Sequence, residues 1–128
     1  MTKRNIQIAL PVTGEEEWNA LKEPLLSGWI TQGPRVAEFE EKFANRHSVK
    51  HAFAVTSCTT GLHMSLAALG IGPGDEVLVP ANTYIASILG ITSVNLKPIF
   101  VEPDSGTFNI SVENIKKSIT KKTKAILA

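Results

Sequence analysis

The spacing of hydrophobic positions changes near residue 50, and the predicted elements change with it. Before that point apolar residues recur at helical intervals, which predicts one helix from about Glu15 and a second from Pro34. After it, short apolar runs alternate with helical stretches. The predicted strands are 51–55, 76–79, 98–101 and 124–128, and the predicted helices between them are 59–69, 84–94 and 111–119. This alternation predicts a doubly wound α/β layer with a mainly parallel sheet.

Short-range signals predict where the helices begin and end. Thr13 and Glu16 have the spacing of a capping box. Pro24 should kink or end the first helix early, because proline lacks an amide donor. In the helix 59–69 the core-facing residues are expected to be Leu62, Leu66 and Leu69. Gly70 is expected to end this helix in the left-handed conformation.

We divide the chain at the change of pattern. Residues 1–50 hold an extended arm, with apolar positions at Ile6, Ile8 and Leu10, and two helices joined by the loop 28–34. Residues 51–128 form the first part of an α/β domain. The last six residues are an apolar run without a turn or cap, which would leave an incomplete and exposed strand. This pattern predicts that the sequence is the first part of a longer protein, truncated at its C-terminus.

Composition and charge narrow the class of protein. The chain has 128 residues with 13 Lys and Arg against 12 Asp and Glu, a net charge of +1, so no general affinity for nucleic acid or an anionic membrane is expected. Its basic residues are scattered apart from a short cluster at Lys116, Lys117, Lys121, Lys122 and Lys124. No apolar run reaches membrane-spanning length, and no signal segment is recognisable. A single cysteine, Cys58, agrees with a reducing compartment, and we expect a cytoplasmic protein.

The turn at residues 55–60 is the first candidate for chemistry. It is rich in hydroxyl groups and joins a predicted strand to a predicted helix. The first amide groups of a helix lack intrahelical acceptors, so they can bind a phosphate that the helix dipole also favours. The alternative is that Ser57 or Thr59 only caps the helix. Cys58 has two interpretations as well, a nucleophile activated at a helix N-terminus or a small packing residue, and we favour packing because no base is evident.

Three other features of the sequence bear on its function. The glycines of residues 70–74 resemble a dinucleotide fingerprint, but they follow a helix and precede a strand, which is the reverse of the required context. The three histidines are too scattered for a metal site, and none is predicted. Trp29 lies in the loop between the first two helices, either as an anchor in the core or as part of a ligand or subunit contact.

Several segments, taken in order, resemble the DegT/DnrJ/EryC1/StrS family of sugar aminotransferases. The resemblance extends from about Ile8 to Ala128. Each segment alone is weak, but the ordered set is specific. The segments are GWITQGP at 28–34, FEEKFA at 39–44, AVTSCTTGLHMSL at 54–66, LGIGPGDEV at 69–77, VPANTYIAS at 79–87, PIFV at 98–101 and TFNI at 107–110.

The resemblance implies roles for particular residues. Ser57, Cys58 and Thr59 would hold the phosphate of pyridoxal 5′-phosphate (PLP) through backbone amides and the Thr59 hydroxyl. Cys58 stands where the family usually has Gly or Ala, which should crowd the pocket. Tyr84 would stack on the pyridine ring, a contact that contributes about 1 kcal/mol beyond burial; the alternative is that it is the first core residue of its helix. The loop residues on the substrate side would be Trp29, Thr31, Gln32 and Gly33.

The resemblance also implies the reaction and the fold. The family has the aspartate-aminotransferase fold, of which this chain would form the N-terminal part of the large domain. Glutamate gives its amino group to the cofactor, which passes it to a nucleotide-linked keto sugar for polysaccharides or secondary metabolites, in a homodimer whose active-site loop often reaches the neighbouring subunit. The family's Schiff-base lysine lies beyond position 128, so we assign no catalytic residue and expect the chain alone to be inactive.

Two alternatives stay open from the sequence. One is a sugar dehydratase of the same family, which uses PLP with a histidine in place of the lysine. The other is a non-catalytic phosphate-binding or interaction domain that is complete at 128 residues. The residue at the lysine position would distinguish the first, and cooperative folding as a monomer would favour the second.

Overall fold

A computed structural model describes residues 7–128, so the predicted apolar position Ile6 lies outside the described residues. The chain divides into two compact units, the first reaching to Ala54 and the second starting at Val55. Each unit is described by itself.

The first unit contains two helices, α1 (Glu15–Ser27) and α2 (Pro34–Arg46). Helix α2 begins at the predicted proline. The start of α1 differs from the predicted capping box by one residue, because Gly14 is the N-cap and its amide donates to the Glu17 carboxylate at 2.7 Å. Thr13 and Glu16 therefore do not form the reciprocal cap that the sequence suggests.

Pro24 does not end α1, so of the two effects predicted for it, a kink or an early end, the early end is not found. The helix continues for one turn past the proline to Ser27. Ser27 Oγ donates to the Pro24 carbonyl at 3.2 Å. The missing amide removes one hydrogen bond, but so close to the C-terminus little helix remains to be disrupted. Gly28, with φ of 73°, ends α1 in the left-handed region that glycine adopts without strain.

The second unit is an α/β layer. Its sheet has the order β2-β1-β3, and both strand pairs are parallel, which confirms the predicted α/β class. Helix and strand alternate along the chain as α3 (Cys58–Ala68), β1 (Glu76–Pro80), α4 (Ile85–Thr92), β2 (Lys97–Val101), α5 (Val112–Ser118) and β3 (Thr123–Ile126).

The predicted strand 51–55 is wrong. The structure has no strand there, and the Ala54 amide donates to the Glu40 carboxylate at 2.7 Å instead of joining a ladder. An apolar run becomes a strand only where a neighbour supplies backbone partners. Leu69 was also wrongly assigned to the core, because it lies past the end of α3 and is exposed, whereas Leu66 is buried.

Strand β1 is the centre of the core of the second unit. Val77, Leu78 and Val79 are fully buried. Since successive side chains point to opposite faces of a sheet, both faces of β1 are covered, as expected for a central parallel strand. On one face Val77 and Val79 pack in a cluster with Leu66 of α3, Ile91 of α4 and the nearby Leu96.

The buried residue Glu76 connects the three strands near their first residues. Glu76 is 6% exposed, and one of its oxygens accepts a hydrogen bond from Thr120 Oγ1 at 2.5 Å. The other carboxylate oxygen lies 3.6 Å from Lys97 Nζ at the start of β2. The Glu76 amide donates to the carbonyl of Lys122, just before β3, at 2.9 Å. The preceding glycine-rich segment is the turn into β1, and Gly70 has the predicted left-handed conformation, with φ of 68°.

Candidate functional site

The first turn of α3 is closed by a network of hydroxyl groups. Ser57 is the N-cap, and its Oγ accepts from the Thr60 amide at 3.1 Å. The Thr60 hydroxyl lies 3.0 Å from Ser57 Oγ and 3.2 Å from Thr56 Oγ1. The capping interpretation of Ser57 is therefore correct. Capping by Ser57 does not exclude phosphate binding at this turn. The cap fixes the turn and satisfies only the Thr60 amide.

The amides of Cys58 and Thr59 remain for a ligand. As the first residues of a helix they have no intrahelical acceptor, and the helix dipole adds positive potential at their position. Cys58 is exposed and Thr59 is half-buried. An open helix N-terminus with a neighbouring hydroxyl fits a phosphate group.

Helix α4 packs against α3. The residue predicted to stack on the pyridine ring, Tyr84, lies at the start of α4. Tyr84 is the N-cap of α4, at the end of the short segment that follows the carboxyl end of β1, and its side chain is 79% exposed, so it is not a core residue. The carboxyl ends of parallel strands are where ligands bind in α/β sheets. Thr59, Leu89 and Ser93 line a pocket of about 310 Å³ between the two helices. This pocket lies at the C-terminal end of α4, whereas Tyr84 lies at its N-terminal end.

The predicted substrate loop lies in the first unit, between α1 and α2. Trp29 is 58% exposed, so it is not the buried core anchor that one interpretation suggested. Its indole Nε1 donates to the carbonyl of Gln32 at 3.2 Å. Trp29, Thr31 and Gly33 share a groove of about 320 Å³ with residues from both helices.

The other wall of this groove is charged, which the sequence reasoning missed. Arg35 donates to Glu23 at 3.2 Å and to Glu38 at 3.3 Å, and the hydrogen bond with Glu23 is the main cause that raises the pKa of Arg35. Glu38 also accepts from Lys42 at 2.7 Å, and this hydrogen bond is the main reason that its pKa is lowered. The Glu38 and Lys42 pair has helical spacing and could have been found, but Arg35 and Glu23 are far apart in sequence.

The described residues contain neither a metal-binding cluster nor a membrane-spanning helix. Between residues 7 and 128 no group of three or more His, Cys, Asp or Glu side chains is arranged to hold a metal ion. Over the same range no helix is both long and apolar enough to cross a bilayer.

Comparison with known proteins gives matches along almost the whole chain. Protein MJ1066 of Methanocaldococcus jannaschii is 46% identical over 117 residues, which cover 91% of this chain and 30% of that protein. The structure of Spr1654 of Streptococcus pneumoniae, named as a sugar aminotransferase, superposes with a TM-score of 0.90 at 37% identity, covering 96% of this chain and 31% of its own. The aminotransferase TlmJ of Streptoalloteichus hindustanus superposes with a TM-score of 0.85 at 33% identity, covering 95% and 34%.

These matches fix the fold and the family. This chain spans about a third of the length of the relatives it matches. Its fold is that of the corresponding part of sugar aminotransferases, and Spr1654 is known in a PLP form and in a PMP form, which confirms the predicted cofactor at the level of the family. The model of the DegT/DnrJ/EryC1/StrS aminotransferase family matches residues 11–128. The chain therefore belongs to the DegT/DnrJ/EryC1/StrS aminotransferase family.

Proposed function

We propose that this chain is the N-terminal part of a PLP-dependent aminotransferase that moves an amino group from glutamate to a keto sugar carried on a nucleotide. The observation that supports the proposal is the first turn of α3, where the amides of Cys58 and Thr59 have no intrahelical acceptor and hydroxyl groups lie beside them. Family membership supports the reaction type. The donor, the nucleotide and the sugar come from the resemblance and stay predictions, as do the homodimer and the cytoplasmic location.

Each candidate residue has a distinct part in binding the cofactor. Cys58 and Thr59 donate backbone hydrogen bonds to the phosphate, and the Thr59 hydroxyl adds another. Ser57 acts mainly through the cap, because its Oγ already accepts from the Thr60 amide. Tyr84 offers an exposed aromatic face for the pyridine ring, at the N-terminus of α4 and not in the pocket that Thr59 lines. Bound PLP would supply the electron sink for amino transfer, and these residues hold and orient it.

The loop between α1 and α2 is assigned to the sugar substrate. Thr31 and Gln32 are exposed polar residues, and their side chains can hydrogen-bond to sugar hydroxyls. Trp29 and Gly33 complete the loop. The rigid helices on either side hold the loop, an arrangement that is common for binding sites.

Cofactor binding tests the proposal directly. The purified intact protein is titrated with PLP while its visible absorbance is followed, and glutamate is then added. We expect a bound-cofactor band that changes on adding glutamate, and a Thr59→Val variant that binds PLP about ten-fold more weakly because a hydrogen bond to a charged group is lost. Thr107→Val, in an exposed loop outside the site, is the matched control and should bind normally.

The outcomes separate the alternatives. If no absorbance band forms on adding PLP, the proposed function is wrong and a non-catalytic role is favoured. If PLP binds but glutamate leaves the spectrum unchanged while a keto sugar is dehydrated, the protein is the related dehydratase. If PLP binds equally well to the Thr59→Val variant, the assignment of the α3 turn is wrong.

A further inference from the structure

The hydrogen bonds of Trp29 go to its own loop and to the last residue of α1. Its indole N–H donates to the Gln32 carbonyl at 3.2 Å, and its backbone amide donates to Ser27 Oγ at 3.3 Å. Indole has a single donor and no acceptor, so the ring has no polar group left for a ligand. Although the side chain is 58% exposed, its polar chemistry is used to close the loop.

Gly33 lies against the five-membered ring of the Trp29 indole. A Cβ at this position would lie 2.6 Å from Trp29 Cε2, which is far inside van der Waals contact. The φ of Gly33 is 179°, extended backbone that any residue can adopt, so close approach of the ring is what requires glycine here. The contact between Trp29 and Gly33 therefore brings the two ends of the loop together.

Both ends of this closed loop are attached to fixed elements. Pro34 starts α2 directly after Gly33, and Ser27 ends α1 two residues before Trp29. Arg35 links the two helices through its ion pair with Glu23. A ring that joins the loop ends leaves Thr31 and Gln32 at the tip, where both are exposed.

We propose that Trp29 is a positioning residue rather than a substrate contact: it clamps the loop through Gln32 and Gly33 so that Thr31 and Gln32 meet the sugar in a fixed geometry. The inference rests on the proposed function for the identity of the ligand, and on the loop contacts alone for the clamp. Preorganisation of this kind improves substrate binding, because a fixed loop loses less conformational freedom when the ligand binds.

The clamp is tested first without cofactor or substrate. Residues 1–128 contain two tryptophans, Trp18 and Trp29, so a Trp18→Phe background of this chain leaves Trp29 as the only indole among these residues. Acrylamide quenching of its fluorescence is measured with and without Gly33→Ala. We expect stronger quenching in the Gly33→Ala variant, because the added methyl group displaces the ring from the backbone. Gly14→Ala is the control, since a Cβ there has no heavy atom closer than 3.9 Å.

The effect on function is measured by steady-state kinetics of the PLP-loaded intact enzyme. Trp29→Phe keeps an aromatic ring and loses the N–H. We expect the KM for the keto sugar to rise about five-fold, the equivalent of one hydrogen bond, with kcat changed less than two-fold. Gly33→Ala should raise the same KM, and Trp18→Phe should leave it unchanged because this residue is an exposed position of α1.

The two experiments fail in distinguishable ways. If Gly33→Ala leaves the quenching of Trp29 unchanged, the clamp does not exist, whatever the enzyme does. If quenching increases but the KM for the sugar does not, the clamp has no role in positioning and the inference is overturned. An equal loss of kcat and kcat/KM in Trp29→Phe would also overturn it, since that pattern indicates a contact made in the transition state. If the protein transfers no amino group at all, the proposed function fails while the quenching result stands by itself.

Discussion

Asp104 organises the loop that follows β2. One of its carboxylate oxygens accepts from the amides of Gly106 and Thr107, at 3.0 and 2.9 Å. Its carbonyl accepts from the Phe108 amide at 2.8 Å, and Phe108 has a positive φ of 59°, which is uncommon for an aromatic residue. The hydrogen bonds around Asp104 hold the chain in this conformation. The hydrogen bond from the Thr107 amide is the main reason that the pKa of Asp104 is lowered.

The stability that Asp104 contributes depends on pH. Because its folded-state pKa lies below the ordinary value of 3.8, the contribution is fully present above that value and is lost as pH falls through the folded pKa. We expect Asp104→Asn to lower the thermal midpoint at pH 7, with the difference from the wild type shrinking below about pH 4. Thermal unfolding followed by circular dichroism between pH 2.5 and 7 measures this.

The control for this prediction is Glu102→Gln, which removes a charge from an exposed neighbouring position. It should change the midpoint little at any pH. A difference between Asp104→Asn and the wild type that stays constant down to pH 2.5 would contradict the assigned role of the ionised carboxylate.

Local chemistry explains which residue-scale features were predictable. The Ser57 cap and the left-handed Gly70 follow from neighbouring residues alone, and both are found in the structure. The hydrogen bond from the Trp29 indole to the Gln32 carbonyl joins residues only three apart. The sequence nevertheless does not reveal the orientation of the indole ring. The position of the ring over Gly33 depends on the backbone path of the whole loop, so the sequence suggested only that Trp29 is a binding residue or a core anchor.

At the scale of elements, the contact between α3 and α4 depends on Gly90. A Cβ at this position would lie 3.0 Å from the Cβ of Leu62 and 3.5 Å from the His63 amide nitrogen. The absence of a side chain lets the two helix backbones approach closely. This approach allows Leu66 and Ile91 to meet in the core.

A larger residue at Gly90 should therefore separate α3 from α4. We expect Gly90→Val to lower the free energy of unfolding by about 1–3 kcal/mol, because overpacking displaces neighbouring groups. Urea denaturation measures the change. Alanine is a weaker test, since its helix propensity offsets up to about 1 kcal/mol of the strain.

Gly72→Ala is the matched control, because a Cβ at Gly72 has no heavy atom within 4 Å. It should change stability by less than about 0.5 kcal/mol, as surface substitutions usually do. Equal destabilisation by Gly90→Val and Gly72→Ala would mean that the contact between the helices is not specific.

Element boundaries show where sequence patterns stop being sufficient. The periodicity of the helices after residue 55 comes from their own residues. The observed ends of these helices lie within one or two residues of the predicted ends. The run 51–55 has the composition of a strand but no partner in the described sheet, and its Ala54 amide donates to the Glu40 side chain instead. A strand forms by hydrogen bonding with a neighbouring strand, so the sequence of one run alone does not establish it.

At the scale of the whole sheet, Glu76 connects parts of the chain that are distant in sequence. The carboxylate lies at the start of β1, its lysine partner at the start of β2, and its threonine partner in the turn before β3. None of these pairings has a local sequence signal. The sequence therefore identified the strands but not the group that holds their starting ends together.

Removing the threonine donor tests this connection. Thr120→Val leaves the buried Glu76 carboxylate without its short hydrogen bond, and we expect a loss of about 1–3 kcal/mol in the free energy of unfolding. Lys97→Gln is the control, because its side chain is 64% exposed and the pair spans 3.6 Å, so less than about 1 kcal/mol should be lost. If Lys97→Gln costs more than Thr120→Val, the ion pair rather than the hydrogen bond joins the strand starts.

The central place of β1 in the sheet has a consequence for how the chain acquires its structure. β1 is the first strand of the sheet to be synthesised, yet its partners are β2 and then β3, both of which come later in the chain. Until each crossover helix has brought its strand into place, the most deeply buried strand of the second unit has unpaired edges. Pairing across long sequence separations is slow, so a nascent chain exposes this segment for the longest time. Any substitution that delays the docking of β3 should therefore lower the yield of soluble protein before it lowers the stability of the finished fold.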